Sequence, residues 1–272
     1  MNGPARRPPT ALLISPHLDD IAFSCGGTAS VLRRRGWRVV VATVFTASVP
    51  EPSGFALACQ LDKGLPPGAD YMAIRRAEDD AFCRVVAGGV EPRWLGLAEA
   101  PHRGYGSAAA LFAEVSGDDP AGADAARLIG GLVEGLAPDL VLAPRAVGGH
   151  VDHRQVVGAV LGLPRLGDRL GWYLDLPYAE RFPGAPSDPR LPVDRVEVAI
   201  PIDPLDLAAK LDGCACYATQ MPFQFGGEAE MRRRLGAFAA AEASRSGKGE
   251  YAETFLVNPA LVERHNLRFL RA

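Results

Sequence analysis

Six residues in two short stretches carry the side chains most able to do chemistry. LLISPHLDDIAFSCGG, from Leu12 to Gly27, crowds His17, Asp19 and Asp20 together; GGHVDH, from Gly148, does the same for His150, Asp152 and His153. His17 and Asp20 are three positions apart, as are His150 and His153. Residues at that spacing share a face of a helix or helical turn. A His, a carboxylate and a second His, brought from opposite sides of a crevice, suit zinc. Catalytic zinc sites commonly keep three protein ligands and an open position for water, whose pKa the ion lowers to roughly 7. A leftover carboxylate beside the metal suits a general base, and Asp19 fits because it flanks a ligand. A leftover His held by an Asp suits a group that stabilises an oxyanion or protonates a leaving amine. His150 with Asp152 fits, since a carboxylate partner raises the imidazole pKa and fixes its orientation. Taken singly, HLDD could be a helix N-cap cluster and HVDH a polar helix start. Two such clusters after two strands make coincidence the weaker explanation.

The elements that must position them follow from the apolar pattern. Ala11–Ser15 is a continuous apolar run ended by Pro16, as expected of a strand buried on both faces. Gly27–Arg35 reads as a helix closed by Gly36. RVVVATVFT, from Arg38, is rich in β-branched residues and gives the surest strand. Further strands are expected at Trp94–Leu97, in PDLVLAP (from Pro138), and over 171–178, 195–200 and 251–257. Helices are expected over 71–87, 121–136, 205–217 and 228–241, with another after HVDH. The stretch 47–70 is rich in Pro and Gly and reads as a long loop bordering the site, as does 98–120. Strands alternating with helices predict a Rossmann-like, doubly wound, mostly parallel α/β sheet, with the active crevice at the carboxyl ends of its strands. Both clusters follow such ends. Residues 1–272 are expected to form a single domain, with 1–10 a flexible tail.

Composition removes other classes. The chain has 272 residues, 48% hydrophobic and 22% charged, and a net charge of −3. No basic stripe suggests nucleic acid as a partner, and no apolar run approaches the roughly 18 residues of a membrane span. The five cysteines are scattered, without a C-x-x-C pair, so reduced thiols and a cytoplasmic location are expected. SCGGT lacks the Gly fingerprints of dinucleotide and phosphate loops. Gly26 and Gly27 are expected instead to let a helix pack closely on the sheet. The other two His, His102 and His265, stand outside the clusters.

SPHLDD resembles the first motif, A-H-P-D-D-E, of the LmbE-like, or N-acetylglucosaminyl-phosphatidylinositol de-N-acetylase, family. GGHVDHRQVV resembles its second, H-P-D-H-R-x-V. RRAEDDAFCRVVAG is similar to its R-x-x-E helix, KLDGCACYATQ to its K-x-x-A-x-x-x-Y/H-x-S-Q segment, and YAETF to its late A-E-x-F. The resemblance runs from about Leu12 to Leu256. It implies a zinc-dependent deacetylase with His17, Asp20 and His153 as metal ligands. Asp19 would be the base, and His150 would assist the tetrahedral intermediate and leaving amine with Asp152 behind it. Arg75 would reach the substrate or pair with Glu78. Leu18 and Val151 replace the usual prolines and Ile21 the usual Glu, changes that remove no ligand. The PHLDD variant and the Pro-rich insert resemble members acting on aminosugars of natural products, including glycopeptide antibiotics.

The expected function is therefore hydrolysis of an acetyl or other acyl group from an N-acyl glucosamine unit of a small glycoconjugate. The alternatives are an amidase of cysteine-amide conjugates, a nucleotide-binding Rossmann oxidoreductase, and a metal-binding protein without catalysis. Oligomeric state is not legible in the sequence.

Overall fold

The run from Arg38 becomes the second strand of a seven-stranded sheet. The computed structural model describes residues 7–263. The strands are β1 (Thr10–Ser15), β2 (Arg38–Phe45), β3 (Glu91–Leu97), β4 (Leu140–Pro144), β5 (Leu170–Tyr173), β6 (Val196–Ile202) and β7 (Tyr251–Val257). The helices are α1 (Asp20–Arg34), α2 (Gly54–Leu61), α3 (Tyr71–Val85), α4 (Ala121–Leu136), α5 (Val151–Leu161), α6 (Tyr178–Arg181), α7 (Pro204–Ala215), α8 (Met221–Phe225), α9 (Glu228–Ser246) and α10 (Pro259–Val262). The sheet order is β3-β2-β1-β4-β5-β7-β6. The first five strands in this order are parallel. β7 lies antiparallel between β5 and β6. The mostly parallel, doubly wound expectation holds. None of the described helices is long and apolar enough to cross a membrane.

Side chains along β1 and β2 alternate between two cores, one on each face. Ala11, Leu13, Val39 and Val41 pack with Phe23, Leu32, Phe82 and Cys214. Leu12, Ile14, Val40 and Ala42 pack with Ile129, Val156 and Val160. Burying each large aliphatic side chain contributes roughly 1.5–3 kcal/mol. Burial on both faces is why β1 reads as an unbroken apolar run.

β1 and β4 are neighbours, with Leu13 opposite Leu142. From β1 the sheet grows through β2 to β3, and from β4 it grows the other way through β5. A crevice opens at such a reversal of strand order, outside the carboxyl ends. The two polar clusters follow β1 and β4 there.

Four local expectations change. The stretch 47–70 is not structureless. It holds α2, and the Gln60 amide ties that helix to the following turn by donating to Pro66 O at 2.6 Å. The first helix starts at Asp20, not Gly27, and bends at Cys25, whose φ/ψ of −143/29 is non-helical. At the bend the Glu253 carboxylate accepts the N–H groups of Gly27 (3.1 Å) and Thr28 (2.6 Å), and Lys210 Nζ donates to it at 2.6 Å. A Cβ on Gly27 would lie 2.7 Å from Ile202 Cδ1, so the expected close helix–sheet packing is present. Finally, β5 stops at Tyr173 instead of running to 178, and Thr10, assigned to the tail, already belongs to β1. Residues 1–6 of that tail, and His265, lie outside the described residues.

Candidate active site

The turn after β1 presents its carboxylates through an unusual backbone. Asp19 has φ 150 and ψ −26. Such a conformation costs of order 1–3 kcal/mol outside glycine and tends to persist where function uses it. Asp20 does not cap α1. Its Oδ2 accepts the His17 N–H at 2.7 Å and closes the turn. The same oxygen lies 3.6 Å from His17 Nδ1 and 3.5 Å from His153 Nε2. Those separations are long for hydrogen bonds. Tetrahedral coordination with bonds of about 2.0–2.1 Å would place donor atoms about 3.3 Å apart. His153 Nε2 is buried and has no hydrogen-bond partner among the described residues, a rare condition for a polar atom. His17, Asp20 and His153 thus form a set able to hold one divalent ion.

Both imidazoles are held from behind. His153 Nδ1 meets Asp175 Oδ1 at 2.6 Å, and His17 Nε2 meets Asp152 Oδ2 at 2.9 Å. Each ring therefore commits its far nitrogen to a carboxylate and turns the near one toward Asp20, the usual support of ligating histidines. Asp175 Oδ2 also accepts the Val147 N–H at 3.1 Å. Asp152 accepts Ala100 N–H at 3.1 Å and Arg103 at 2.8 Å, and Arg103 continues to Asp119 at 2.9 Å. That chain fastens the 98–120 segment to the site. Burial alone would raise the Asp152 carboxyl, but the hydrogen bond from His17 and the nearby cations hold it well below its usual range.

The arrangement around His150 corrects the expectation. The Asp152 carboxylate stands behind His17, not His150. Only the Asp152 backbone N–H reaches His150, donating to Nδ1 at 3.2 Å. A neutral ring accepting at Nδ1 carries its proton on Nε2. Burial, with the charge of His17 added, pushes His150 well below its ordinary range and outweighs the opposing charge of Asp152. His17 moves the other way, to about 9. Burial would lower it, but the hydrogen bond to Asp152 and the charges of Asp20, Asp152 and Glu99 prevail. Burial lifts Asp19 to about 7 against the pull of Arg75.

Arg75 is buried and does not pair with Glu78. It donates to Glu99 Oε1 at 2.5 Å and Leu18 O at 2.8 Å, and lies 3.4 Å from Asp19 Oδ2. Glu78 instead accepts from Thr219.

These residues border a cavity of about 410 Å³. His17, Asp19, Asp20, His150, Asp152 and Arg75 all line it, and His153 stands behind with no exposed surface. Phe55 of α2, Lys63, Phe112, Phe182 and Phe223 complete much of the wall. His102 is half-buried and outside this lining. Asp175, Arg103 and Glu99 were not singled out from the sequence. Asp175 sits in the apolar run WYLDLPY, where an isolated carboxylate is the one available signal.

Comparison with known proteins adds an independent line. A family model described as PIG-L: GlcNAc-PI de-N-acetylase matches residues 12–163, a span holding both polar clusters. The chain is 40% identical over 170 residues to 2'-N-acetylparomamine deacetylase of Streptomyces fradiae; the match takes in 62% of this chain and 57% of that one. It thus spans little more than half the length of that relative. Among solved structures, the zinc-inhibited form of teicoplanin deacetylase Orf2 superposes with a TM-score of 0.76 at 26% identity, covering 91% of this chain and 97% of the other. The A40926 pseudoaglycone deacetylase Dbv21 gives 0.75 at 26% identity, with 91% and 96% covered.

Proposed function

The chain belongs to the PIG-L, GlcNAc-PI de-N-acetylase, family, and from that membership we propose that it is a metal-dependent hydrolase removing the acetyl group from an N-acetyl aminosugar of a natural product. The observation that carries this reading is the convergence of His17 Nδ1, Asp20 Oδ2 and the unpartnered His153 Nε2 beside Asp19 on one cavity. The deacetylases of paromamine and glycopeptide type, to which the chain is similar, favour an aminosugar over a cysteine-amide conjugate. The absence of a Gly-rich turn after β1 disfavours a dinucleotide cofactor.

His17, Asp20 and His153 would hold the ion, which we take to be zinc. Bound there, a zinc ion polarises a carbonyl oxygen and lowers the pKa of water toward neutrality. Asp19, beside the ligand set on the cavity, takes the proton of the attacking water. His150 offers its Nε2–H to the carbonyl oxygen as negative charge gathers on it. Its lowered pKa suits donation of a hydrogen bond better than transfer of a proton. Asp19 then passes the proton to the amide nitrogen as the C–N bond breaks, leaving acetate and a free amine. Arg75 acts through Asp19, fixing the carboxylate from behind. Five free cysteines suit a reducing compartment such as the cytoplasm.

The test is acetate release. Metal-loaded protein is offered 2'-N-acetylparomamine and simple N-acetylglucosaminides in parallel, beside His153→Ala. Turnover by the wild type and none by the variant is expected. A wild type that retains no divalent ion, or releases no acetate from any N-acetyl aminosugar, overturns the reading.

A further inference from the structure

One wall of the cavity holds a hydrogen-bond chain whose direction is fixed from inside the protein. It begins at Glu78 on α3. Glu78 Oε1 accepts the Thr219 N–H at 2.8 Å, and Glu78 Oε2 accepts the Thr219 hydroxyl at 2.7 Å. Both Glu78 oxygens accept from Thr219, so the single hydroxyl proton of Thr219 is committed to Glu78. Thr219 Oγ1 must then act as acceptor toward its other neighbour, the Gln220 amide, 2.8 Å away. This requires the amide NH₂, not its carbonyl, to face Thr219. The second proton of the same nitrogen goes to Tyr71 Oη at 3.1 Å.

Two groups remain at the end of this chain. The Tyr71 phenol accepts from Gln220, so its own proton is left to donate, and it has no other hydrogen-bond partner among the described residues. The carbonyl oxygen of Gln220 is likewise left to accept. Both residues line the cavity, alongside Arg75 and Lys63. Gln220 is 2% exposed, so little besides a cavity occupant can satisfy it. Burial raises the Tyr71 pKa, which keeps the phenol protonated at neutral pH. The arrangement is braced further by the neighbouring Asp79, which accepts from Tyr217 Oη at 2.7 Å and ties the 217–220 turn to α3 a second time.

We propose that Tyr71 and Gln220 form a recognition pair for one hydroxyl group of the bound aminosugar, the phenol donating to the hydroxyl oxygen and the Gln220 carbonyl accepting its proton. A hydroxyl answers a donor and an acceptor side by side; so does a secondary amide, but the acetamido group of the substrate is the one engaged at His17, Asp20 and His153 in the reading above, which leaves the ring hydroxyls for this wall. An ether oxygen would leave the Gln220 carbonyl unmet, and an ammonium would leave the phenol proton unmet. The pair reads which ring position carries its hydroxyl and takes no part in the chemical step. It rests on the aminosugar-deacetylase reading above.

The experiment compares an N-acetylglucosaminide with its 3-, 4- and 6-deoxy analogues, using metal-loaded wild type, Tyr71→Phe and Thr219→Val. For one ring position the wild type favours the hydroxylated substrate in kcat/KM. Tyr71→Phe shrinks that preference roughly three- to tenfold, the worth of one neutral hydrogen bond, through KM. Thr219→Val frees the Gln220 amide to turn over and shrinks the same preference at the same position. A merely structural role for Tyr71 would depress all the substrates together. Acetate release by the wild type with every deoxy preference unchanged in Tyr71→Phe overturns the pair alone. No acetate release by the wild type from any of them overturns the pair and the deacetylase reading together.

Discussion

Replacing Asp175 by Asn isolates the support behind one metal ligand. The carboxylate receives two donors at once: His153 Nδ1 at 2.6 Å on one oxygen and the Val147 N–H at 3.1 Å on the other. An amide of the same shape cannot satisfy both. With its oxygen toward His153, its NH₂ faces the Val147 N–H, donor against donor. Turned over, its NH₂ faces His153 Nδ1 and drives the ring proton to Nε2, the atom that must stay bare for the ion. Either arrangement leaves one buried group unmet, costing about 1–3 kcal/mol of stability. Loss of such outer support typically weakens metal affinity by about 10–100-fold, or about 1.4–2.7 kcal/mol. The assay is competition of metal-stripped protein with a chelating dye for zinc, beside urea denaturation of the same metal-free samples. The expected result is weaker binding and a lower midpoint, with turnover partly restored by excess metal. Unchanged zinc affinity in Asp175→Asn would show that the orientation of His153 does not depend on this carboxylate, and the reasoning would fail.

Other consequences follow from the same geometry. Asp19→Asn is expected to keep its metal and lose about 10²–10⁴-fold in kcat, as removal of a general base does; metal content and acetate release are measured together, and near-wild-type turnover would exclude Asp19 as the base. His17, with its pKa raised to about 9, must shed a proton before a cation can bind, so apparent metal affinity should climb with pH up to about 9 and binding should release protons. A flat affinity between pH 6 and 8.5 contradicts this. In the metal-free protein, protonated His17 stabilises the fold fully below its unfolded pKa of about 6.5, and that contribution is lost as pH rises through about 9; denaturation midpoints across this range test the sign. Lys210→Met leaves Glu253 buried without its cation and should cost about 3–5 kcal/mol. Lys210→Met with Glu253→Gln should recover part of that loss in urea denaturation, and a single-variant loss below about 1 kcal/mol would refute the role of the pair at the α1 bend.

What the sequence disclosed and what it concealed divide along physical lines. The three candidate ligands were legible because the features that bring them together are local: a short strand, a tight turn and a three-residue spacing, repeated after two neighbouring strands. The misplacement of Asp152 was local too, and helix geometry explains it. His150 and Asp152 are two positions apart at the start of α5, and residues at that spacing do not face each other. Proximity in sequence suggested a pair that the helix forbids, and the Asp152 carboxylate turned to His17, 135 positions away. Asp175 escaped notice because nothing in its apolar surroundings reveals that β5 ends beside β4 with a carboxylate aimed at His153. The first half of α1 was hidden by the polar turn that opens it and by the glycines that interrupt it. Its bend is completed by Glu253, 226 positions from Gly27, and no propensity scale applied to the helix could supply that partner. The same carboxylate answers Lys210, so the K and E of two motifs that appeared unrelated in sequence meet at one buried point behind the helix that carries Asp20. Lys210 and Glu253 thus bear on the site through the backbone they hold, without touching the candidate ligands themselves.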